Sequence, residues 1–137
     1  MKWYFASRIR HKNLLLEVCE FLQDRGEIIA SDWIYQDSLK PYDLNLPKVQ
    51  PFSQEVVKNI LAADIFVLIS DPEGTDMFIE LGIALAKNNI NSNNKIYAVG
   101  EHSKRSLMQL HPAIIHVPTL EELFKQEGIE GGNFNLS

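Results

Sequence analysis

The sequence predicts a single α/β domain of three layers, in which a five-stranded, mainly parallel sheet carries helices on both faces. The chain has 137 residues, which is the usual size of one domain with one hydrophobic core. Short runs rich in β-branched and aromatic residues alternate with amphipathic stretches, and parallel strands need this order because a crossover helix joins each pair. The most apolar run, residues 64–70, has apolar side chains on both faces, as a central parallel strand requires.

The first half of the chain contains a predicted strand over residues 2–7, a helix over 13–25, a strand over 27–31 and a helix over 53–62. Asn13 is a suitable N-cap for the first helix, and Gly26 is placed to end it. Three prolines and many polar residues in 35–51 predict a long loop, and such a loop in a small domain is usually functional or mobile. Ser53 is the predicted cap of the helix that follows.

The second half contains predicted strands over residues 64–70, 95–99 and 114–117, with a helix from 75 or 76 to 87 after the first of them. Thr119-Leu-Glu-Glu122 forms a capping box that opens the last helix. We therefore expect one domain over residues 1–127. Residues 128–137 are rich in Gly and Asn and are predicted to be a flexible tail.

Composition excludes several classes of partner. A formal net charge of −5 disfavours nucleic-acid polymers and anionic membranes, since both attract an excess of Lys and Arg. The apolar runs are too short to span a bilayer, and the first residues lack a signal-peptide pattern. The single cysteine, Cys19, lies in a helical pattern and is expected to fill the core. These features predict a cytoplasmic protein.

The predicted sheet also indicates where a ligand binds. In open parallel sheets, ligands occupy a crevice at the carboxyl ends of the strands. Residues 7–12, Trp33, 70–76 and 100–105 are expected around that crevice. The sequence has no Gly-x-Gly-x-x-Gly fingerprint, no P-loop and no histidine spacing typical of metal sites, so we expect neither a metal nor an organic cofactor.

Glu80 is the strongest candidate for catalysis. It follows the most apolar strand, one turn into a predicted helix, with Met77, Ile83 and Ala84 at neighbouring helical positions. The helix N-terminus favours the ionised carboxylate, whereas apolar neighbours raise its pKa. A nucleophile for an anomeric carbon must be ionised, poorly solvated and rigidly held. The alternative is a glutamate that only complements the helix dipole.

Several motifs resemble the nucleoside 2-deoxyribosyltransferase-like superfamily, which includes the 2′-deoxynucleoside 5′-monophosphate N-glycosidases. The resemblance covers about residues 2–125 and rests on Tyr4-Phe5-Ala6-Ser7-Arg8-Ile9-Arg10, Ala63-Asp64, Gly74-Thr75 and Glu80-Leu81-Gly82-Ile83-Ala84. It implies a flavodoxin-like sheet and a homodimer or larger homo-oligomer. It also implies that Glu80 attacks C1′ of the sugar, expels the base and forms a glycosyl-enzyme that water or a second base resolves.

The sequence departs from that superfamily at three places. Val56 stands where members commonly carry an acid, and Glu55, one residue away, is rotated by about 100° on a helix. Ser7-Arg8 replaces a small Gly-Ser pair after the first strand. Gly74, with Thr75 beside it, replaces a serine that the resemblance assigns to phosphate binding.

The remaining candidates each have a structural alternative. Asp71 and Asp76 are candidate acids or bases for the leaving base, or else belong to turn and cap chemistry. The candidate substrate-binding residues are Tyr4 and Trp33 for stacking on a base, and Ser7, Arg8, Arg10, Gly74, Thr75, Lys104 and Arg105 for a phosphate or carboxylate. Arg8 and Arg10 form a basic cluster with His11 and Lys12, and Lys104 and Arg105 are alternatively part of a neighbouring subunit's site. Tyr4 alternatively packs in the core, and the basic residues alternatively lie in solvated loops.

Three functions follow from these residues. The first is cleavage or base exchange at the N-glycosidic bond of a (deoxy)nucleoside or nucleoside 5′-monophosphate through a covalent glycosyl-Glu80 intermediate. The second is a non-catalytic module that binds or senses a nucleotide, which Val56 favours because the expected acid is missing. The third is hydrolysis of another N-glycoside such as NAD, for which the long loop offers room.

Overall fold

The computed structural model describes residues 1–135 and confirms the α/β class. Its strands are β1 (Lys2–Ala6), β2 (Ile28–Ile29), β3 (Ile65–Ile69), β4 (Lys95–Val99) and β5 (Ile114–Val117). Its helices are α1 (Lys12–Gln23), α2 (Leu46–Ala62), α3 (Asp76–Asn91) and α4 (Leu120–Gln126). Short 3-10 helices occur at Ile9–His11, Asp32–Tyr35, Tyr42–Leu44 and Met108–Leu110. None of the helices in the described part of the chain has the length and apolarity needed to cross a membrane.

The five strands form one sheet in the order β2-β1-β3-β4-β5, and every neighbouring pair is parallel. This is the flavodoxin-like order, in which the chain moves outward from β1 to β2 and then returns to the other side of β1 to form β3. The helices that follow β1 and β3 lie on opposite faces of the sheet. A crevice therefore opens at the carboxyl ends of β1 and β3.

Two hydrophobic cores lie on the two faces of the sheet, because successive strand side chains point to opposite sides. Trp3 and Phe5 of β1 face α1 and α4, where they pack with Leu15, Leu22 and Phe124. On the other face, Tyr4 and Ala6 pack with α2 and α3, whose buried apolar residues are Ile60, Met77, Leu81, Ala84 and Leu85. The central strand β3 is buried along its whole length, as its apolar pattern predicts.

The predicted loop over residues 35–51 is wrong in its second half, because α2 already begins at Leu46. Pro47 lies in the first turn, where its missing N–H would have had no helical partner. Pro51 lies inside the helix, where its missing N–H removes one backbone hydrogen bond, yet the helix continues to Ala62. Ser53 is consequently not a cap: it lies inside α2, and its hydroxyl donates to the carbonyl of Gln50 at 2.7 Å.

Other element boundaries differ from the prediction by one to four residues. Helix α1 begins at Lys12 with His11 at the N-cap position, so Asn13 belongs to the first turn. Helix α3 runs on to Asn91 and ends at Ser92, which has a left-handed backbone. The capping box is confirmed, since the Thr119 hydroxyl accepts a hydrogen bond from the Glu122 amide at 3.1 Å. The predicted bounds of β4 and β5 are also confirmed.

The C-terminal segment contacts the core through Ile129 and Phe134. The Phe134 ring centroid lies 5.3 Å from that of Phe21 and 6.2 Å from that of Phe124. Of the predicted flexible tail, residues 136–137 lie outside the described residues. That the tail is flexible stays a prediction. It can be tested by removing the Phe134 ring, because a flexible tail would contribute nothing to stability through that contact.

Candidate active site

A pocket of ≈ 440 Å³ lies at the carboxyl ends of β1 and β3, where the sheet order predicts a ligand site. Helix α2 forms one wall, the first turns of α3 form a second, and the segments after β1 and β2 complete it. The lining residues are Ser7, Ile9, Lys12, Trp33, Gln36, Asp37, Ser38, Leu39, Tyr42, Val49, Phe52, Ser53, Val56, Val57, Asp76, Ile79, Glu80 and Ile83.

Glu80 projects from α3 into this pocket, and a side chain of the sheet contacts its carboxylate. The hydroxyl of Tyr4, on β1, donates a short hydrogen bond to Glu80 Oε1. The Tyr4 ring is fully buried and stacks on Phe66 of β3, with centroids 5.7 Å apart and an interplanar angle of 3°. Since Tyr4 is fixed by the core, it holds the carboxylate of Glu80 in one orientation. Glu80 Oε2 has no protein partner within residues 1–135.

The environment of Glu80 sets its protonation. Burial raises the pKa of Glu80 to about 7; the Tyr4 hydrogen bond opposes that rise and the nearby Asp76 carboxylate adds to it. Burial, followed by the charge of Glu80 and the hydrogen bond to it, raises the pKa of Tyr4 well above its ordinary value. Tyr4 therefore remains a proton donor at any physiological pH. The pair is a poorly solvated carboxylate with a permanent hydrogen-bond donor, which is the arrangement that a nucleophile requires.

Asp76 lies one turn before Glu80 on α3 and lines the same pocket. Positions four residues apart on a helix are neighbours on its surface, so both carboxyl groups face one ligand. This arrangement can pair a nucleophile with an acid or base. No group of three or more His, Cys, Asp or Glu able to hold a metal ion is found among the described residues.

Asp71 lies elsewhere, buried beneath the segment that follows β1. Arg10 contacts Asp71 Oδ2 through Nε at 2.8 Å and Nη2 at 2.6 Å, and His11 Nε2 lies 3.3 Å from the same oxygen. Arg8 lies 3.7 Å from Asp71 Oδ1 and 3.0 Å from Glu73 Oε2. Burial raises the pKa of Asp71, but the Glu73 amide, Arg10 and His11 outweigh burial and hold that pKa below its ordinary value. Asp71, Arg8 and Arg10 thus bind one another and do not line the pocket.

Trp33 and Ser7 lie at the pocket itself. The Trp33 indole N–H donates to the carbonyl of Phe5 at 2.7 Å, which fixes the ring beside the end of β1. The Ser7 hydroxyl donates to the carbonyl of Arg8 at 2.8 Å. A rigid aromatic face beside Glu80 is suited to stacking on a nucleobase.

The other predicted binding residues lie outside the lining. Gly74 and Thr75 precede α3, and Gly74 has φ +137°, which only glycine adopts readily; a Cβ there would meet Met77 Cε at 2.7 Å. Lys104 and Arg105 lie in the turn after β4, where the Arg105 amide donates to the Gln109 side chain at 3.0 Å. The segment 100–105 is therefore not part of the pocket in the single chain.

Sequence reasoning missed the wall formed by α2. Val49, Phe52 and Val56 recur at helical spacing, and this signal was available, but the prolines of 35–51 indicated a loop. Val56 does line the pocket, whereas Glu55 points away and lies 3.6 Å from Lys58 at the surface. Asp37, on the segment after Trp33, was also missed and carries no local pattern that marks it.

The fold and pocket define an α/β protein whose strand-end site holds a partly buried carboxylate. No protein-family model matches the sequence, and no curated protein matches it. Among solved structures, the chain is similar to the CMP N-glycosidase BcmB from Clostridium botulinum, with a TM-score of 0.60 and 16% sequence identity over 93% of this chain and 98% of that one. The likeness shows the fold, and the resemblance seen in the sequence motifs is confirmed at that level.

Proposed function

We propose that this protein cleaves the N-glycosidic bond of a nucleoside or nucleoside 5′-monophosphate, with Glu80 as the nucleophile. The observation that carries the proposal is the Glu80 carboxylate, which lines the pocket and is oriented by the hydroxyl of Tyr4. The shared fold with a CMP N-glycosidase adds support. No metal or organic cofactor is needed for this chemistry.

The proposed reaction has two steps. Glu80 attacks C1′ of the sugar, the C1′–N bond breaks, and its electron pair leaves with the base, which takes a proton from the acid form of Asp76. Water then attacks C1′ and gives its proton to the Asp76 carboxylate, while the bond from C1′ to Glu80 breaks, which restores both side chains and releases the sugar. A second base in place of water would give base exchange. Because the nucleophile must be ionised, the rate is expected to rise with pH through about 7.

The base is proposed to lie between Trp33 and the α2 wall. Trp33 offers a fixed aromatic face, and Phe52 and Val56 offer apolar contacts on the facing side of the pocket. An apolar wall discriminates weakly between bases, because specificity for a base usually comes from hydrogen bonds to its edge. We therefore expect a broad range of accepted bases.

A non-catalytic nucleotide-binding module is the second candidate, and Val56 favours it. That valine lines the pocket where the sequence resemblance calls for an acid. Binding without turnover would still use Trp33 and the α2 wall.

The test is base release, followed by chromatography with a panel of nucleosides, their 5′-monophosphates and NAD, with and without an acceptor base. Glu80→Gln is expected to abolish release. Glu55→Gln is the matched control, because Glu55 is an exposed carboxylate on α2 that pairs with Lys58, and this variant is expected to retain activity. If ligands raise the melting temperature but neither protein releases base, the binding module replaces the enzyme.

We also propose that the protein acts in the cytoplasm as a homodimer or larger homo-oligomer. Exposed apolar side chains on α2 and α3 that do not line the pocket support assembly, among them Leu61 and Ile90. Light scattering of the purified protein would test it, and a monomer at micromolar concentration would contradict it.

A further inference from the structure

The charged side chains that line the pocket are mostly acidic. Asp37, Asp76 and Glu80 contribute three carboxyl groups, and Lys12 contributes the single ammonium group among the described lining residues. Lys12 Nζ already donates to the carbonyl oxygen of Gln36 at 2.5 Å. Above the pKa of Glu80, negative charges therefore outnumber positive ones in the pocket lining.

Arg8 and Arg10 follow β1 but do not line the pocket. Arg10 makes two contacts below 3 Å with buried Asp71, and Arg8 lies 3.0 Å from Glu73. The Asp71 carboxylate is buried, so a ligand phosphate would have to compete with it for Arg10, whereas the exposed Arg8–Glu73 pair is weaker.

The amino end of α3 is also unfavourable for a second anion. A helix N-terminus attracts negative charge, but here its first residue is Asp76, which lines the pocket and already supplies a carboxylate. A phosphate dianion at this end of the pocket would meet Asp76 and Glu80, and its one ammonium partner would be Lys12.

We infer that this pocket selects an uncharged nucleoside and discriminates against the corresponding 5′-monophosphate. The inference rests on the proposed glycosidase function and names its substrate class. It is opposite to the substrate in the name of the Clostridium botulinum neighbour, which is CMP. The physical reason is repulsion between the phosphate and the pocket carboxylates, which is strongest at the partly buried Glu80 and more screened by solvent at the exposed Asp37 and Asp76.

The test compares kcat/KM for cytidine and deoxycytidine with kcat/KM for CMP and dCMP above the pKa of Glu80, at low and high ionic strength. At low ionic strength the nucleosides are expected to be favoured by about tenfold or more. High ionic strength is expected to narrow the difference, because salt screens exposed charge interactions.

Three variants locate the effect. Asp37→Asn removes one lining carboxylate and is expected to reduce the ratio of kcat/KM for the nucleoside to kcat/KM for the monophosphate by about threefold. Asp43→Asn is the matched control, since Asp43 is an exposed acid of the same segment that does not line the pocket, and the preference should stay unchanged. Lys12→Met removes the ammonium group and is expected to raise the ratio of kcat/KM for the nucleoside to kcat/KM for the monophosphate.

The outcomes separate this inference from the proposed function. Equal or higher kcat/KM for the monophosphates overturns the inference and leaves the glycosidase intact. If no substrate releases base, the glycosidase fails, and calorimetric binding of cytidine and CMP to the wild-type protein then decides the selectivity. Tighter or equal binding of CMP, or binding of neither ligand, overturns the inference.

Discussion

Replacing Glu80 with glutamine is expected to stabilise this protein at alkaline pH. The side chain keeps its shape, and its amide oxygen can still accept the hydrogen bond from the Tyr4 hydroxyl. What changes is that glutamine never ionises. In the folded wild type the pKa of Glu80 is about 7, against 4.5 for an ordinary glutamate.

The size of the effect follows from this difference in pKa. Between pH 4.5 and 7 the folded protein holds a proton on Glu80 that the unfolded chain has lost, so the stability of the wild type falls as pH rises through this range. A difference of 2.5 pKa units corresponds to about 3 kcal/mol in the free energy of unfolding. Glu80→Gln should match the wild type below pH 4.5 and exceed it by up to about 3 kcal/mol above pH 7.

Urea unfolding over a pH series, followed by the fluorescence of Trp3 and Trp33, measures this difference. With an ordinary dependence on urea, the midpoint of Glu80→Gln should move up by roughly 1–3 M relative to wild type at alkaline pH. Titrating groups that do not interact with Glu80 contribute equally to both proteins and cancel. Glu55→Gln, at an exposed position, should show no pH-dependent difference from wild type. A constant difference between Glu80→Gln and wild type at all pH values would refute a buried Glu80 with a raised pKa.

Three further outcomes are expected. Tyr4→Phe removes the hydrogen-bond donor of the carboxylate, so the inflection of the pH–rate profile should move above about 7, and an unmoved inflection would show that the tyrosine does not tune it. Gly100→Ala should lower the free energy of unfolding by about 1–3 kcal/mol in urea melts, because φ is +104° and the new Cβ would lie 2.7 Å from the Ser70 hydroxyl. Gly26→Ala, with φ +83° and nothing within 4 Å, should cost less, and equal losses would contradict the contact argument. Phe134→Ala should lower the free energy of unfolding by about 1–2 kcal/mol, whereas no change would support a flexible tail.

The sequence determined the class of fold, most element positions and the leading catalytic candidate. The predicted bounds of β4 and β5 agree with the structure, because Asn93-Asn94 and Gly100 bound the first run and Pro112 and Pro118 lie close to the ends of the second. The Thr119 cap could also be predicted from sequence, because its hydrogen-bond partner, the Glu122 amide, lies only three residues away. Glu80 became the leading candidate because it lies early in a helix after the most apolar strand and because Glu80-Leu81-Gly82-Ile83-Ala84 resembles the superfamily motif. The prolines of residues 35–51 predicted a loop where α2 in fact begins. Pro47 is tolerated in the first turn of that helix, and Pro51 lies inside it.

Only the tertiary structure decided which side chains act together at the site. Tyr4 and Glu80 are 76 residues apart, and their hydrogen bond depends on α3 packing over the face of β1 from which Tyr4 points. The positive charges of Arg8 and Arg10 were evident from the sequence, but their partner was not. Both form ion pairs with Asp71, which follows β3, the strand next to β1 in the sheet. Local patterns record what a residue contributes to its own helix or strand. Whether a charge serves a ligand or a neighbouring side chain depends on groups brought together from distant parts of the chain, and only the packed structure shows which groups those are.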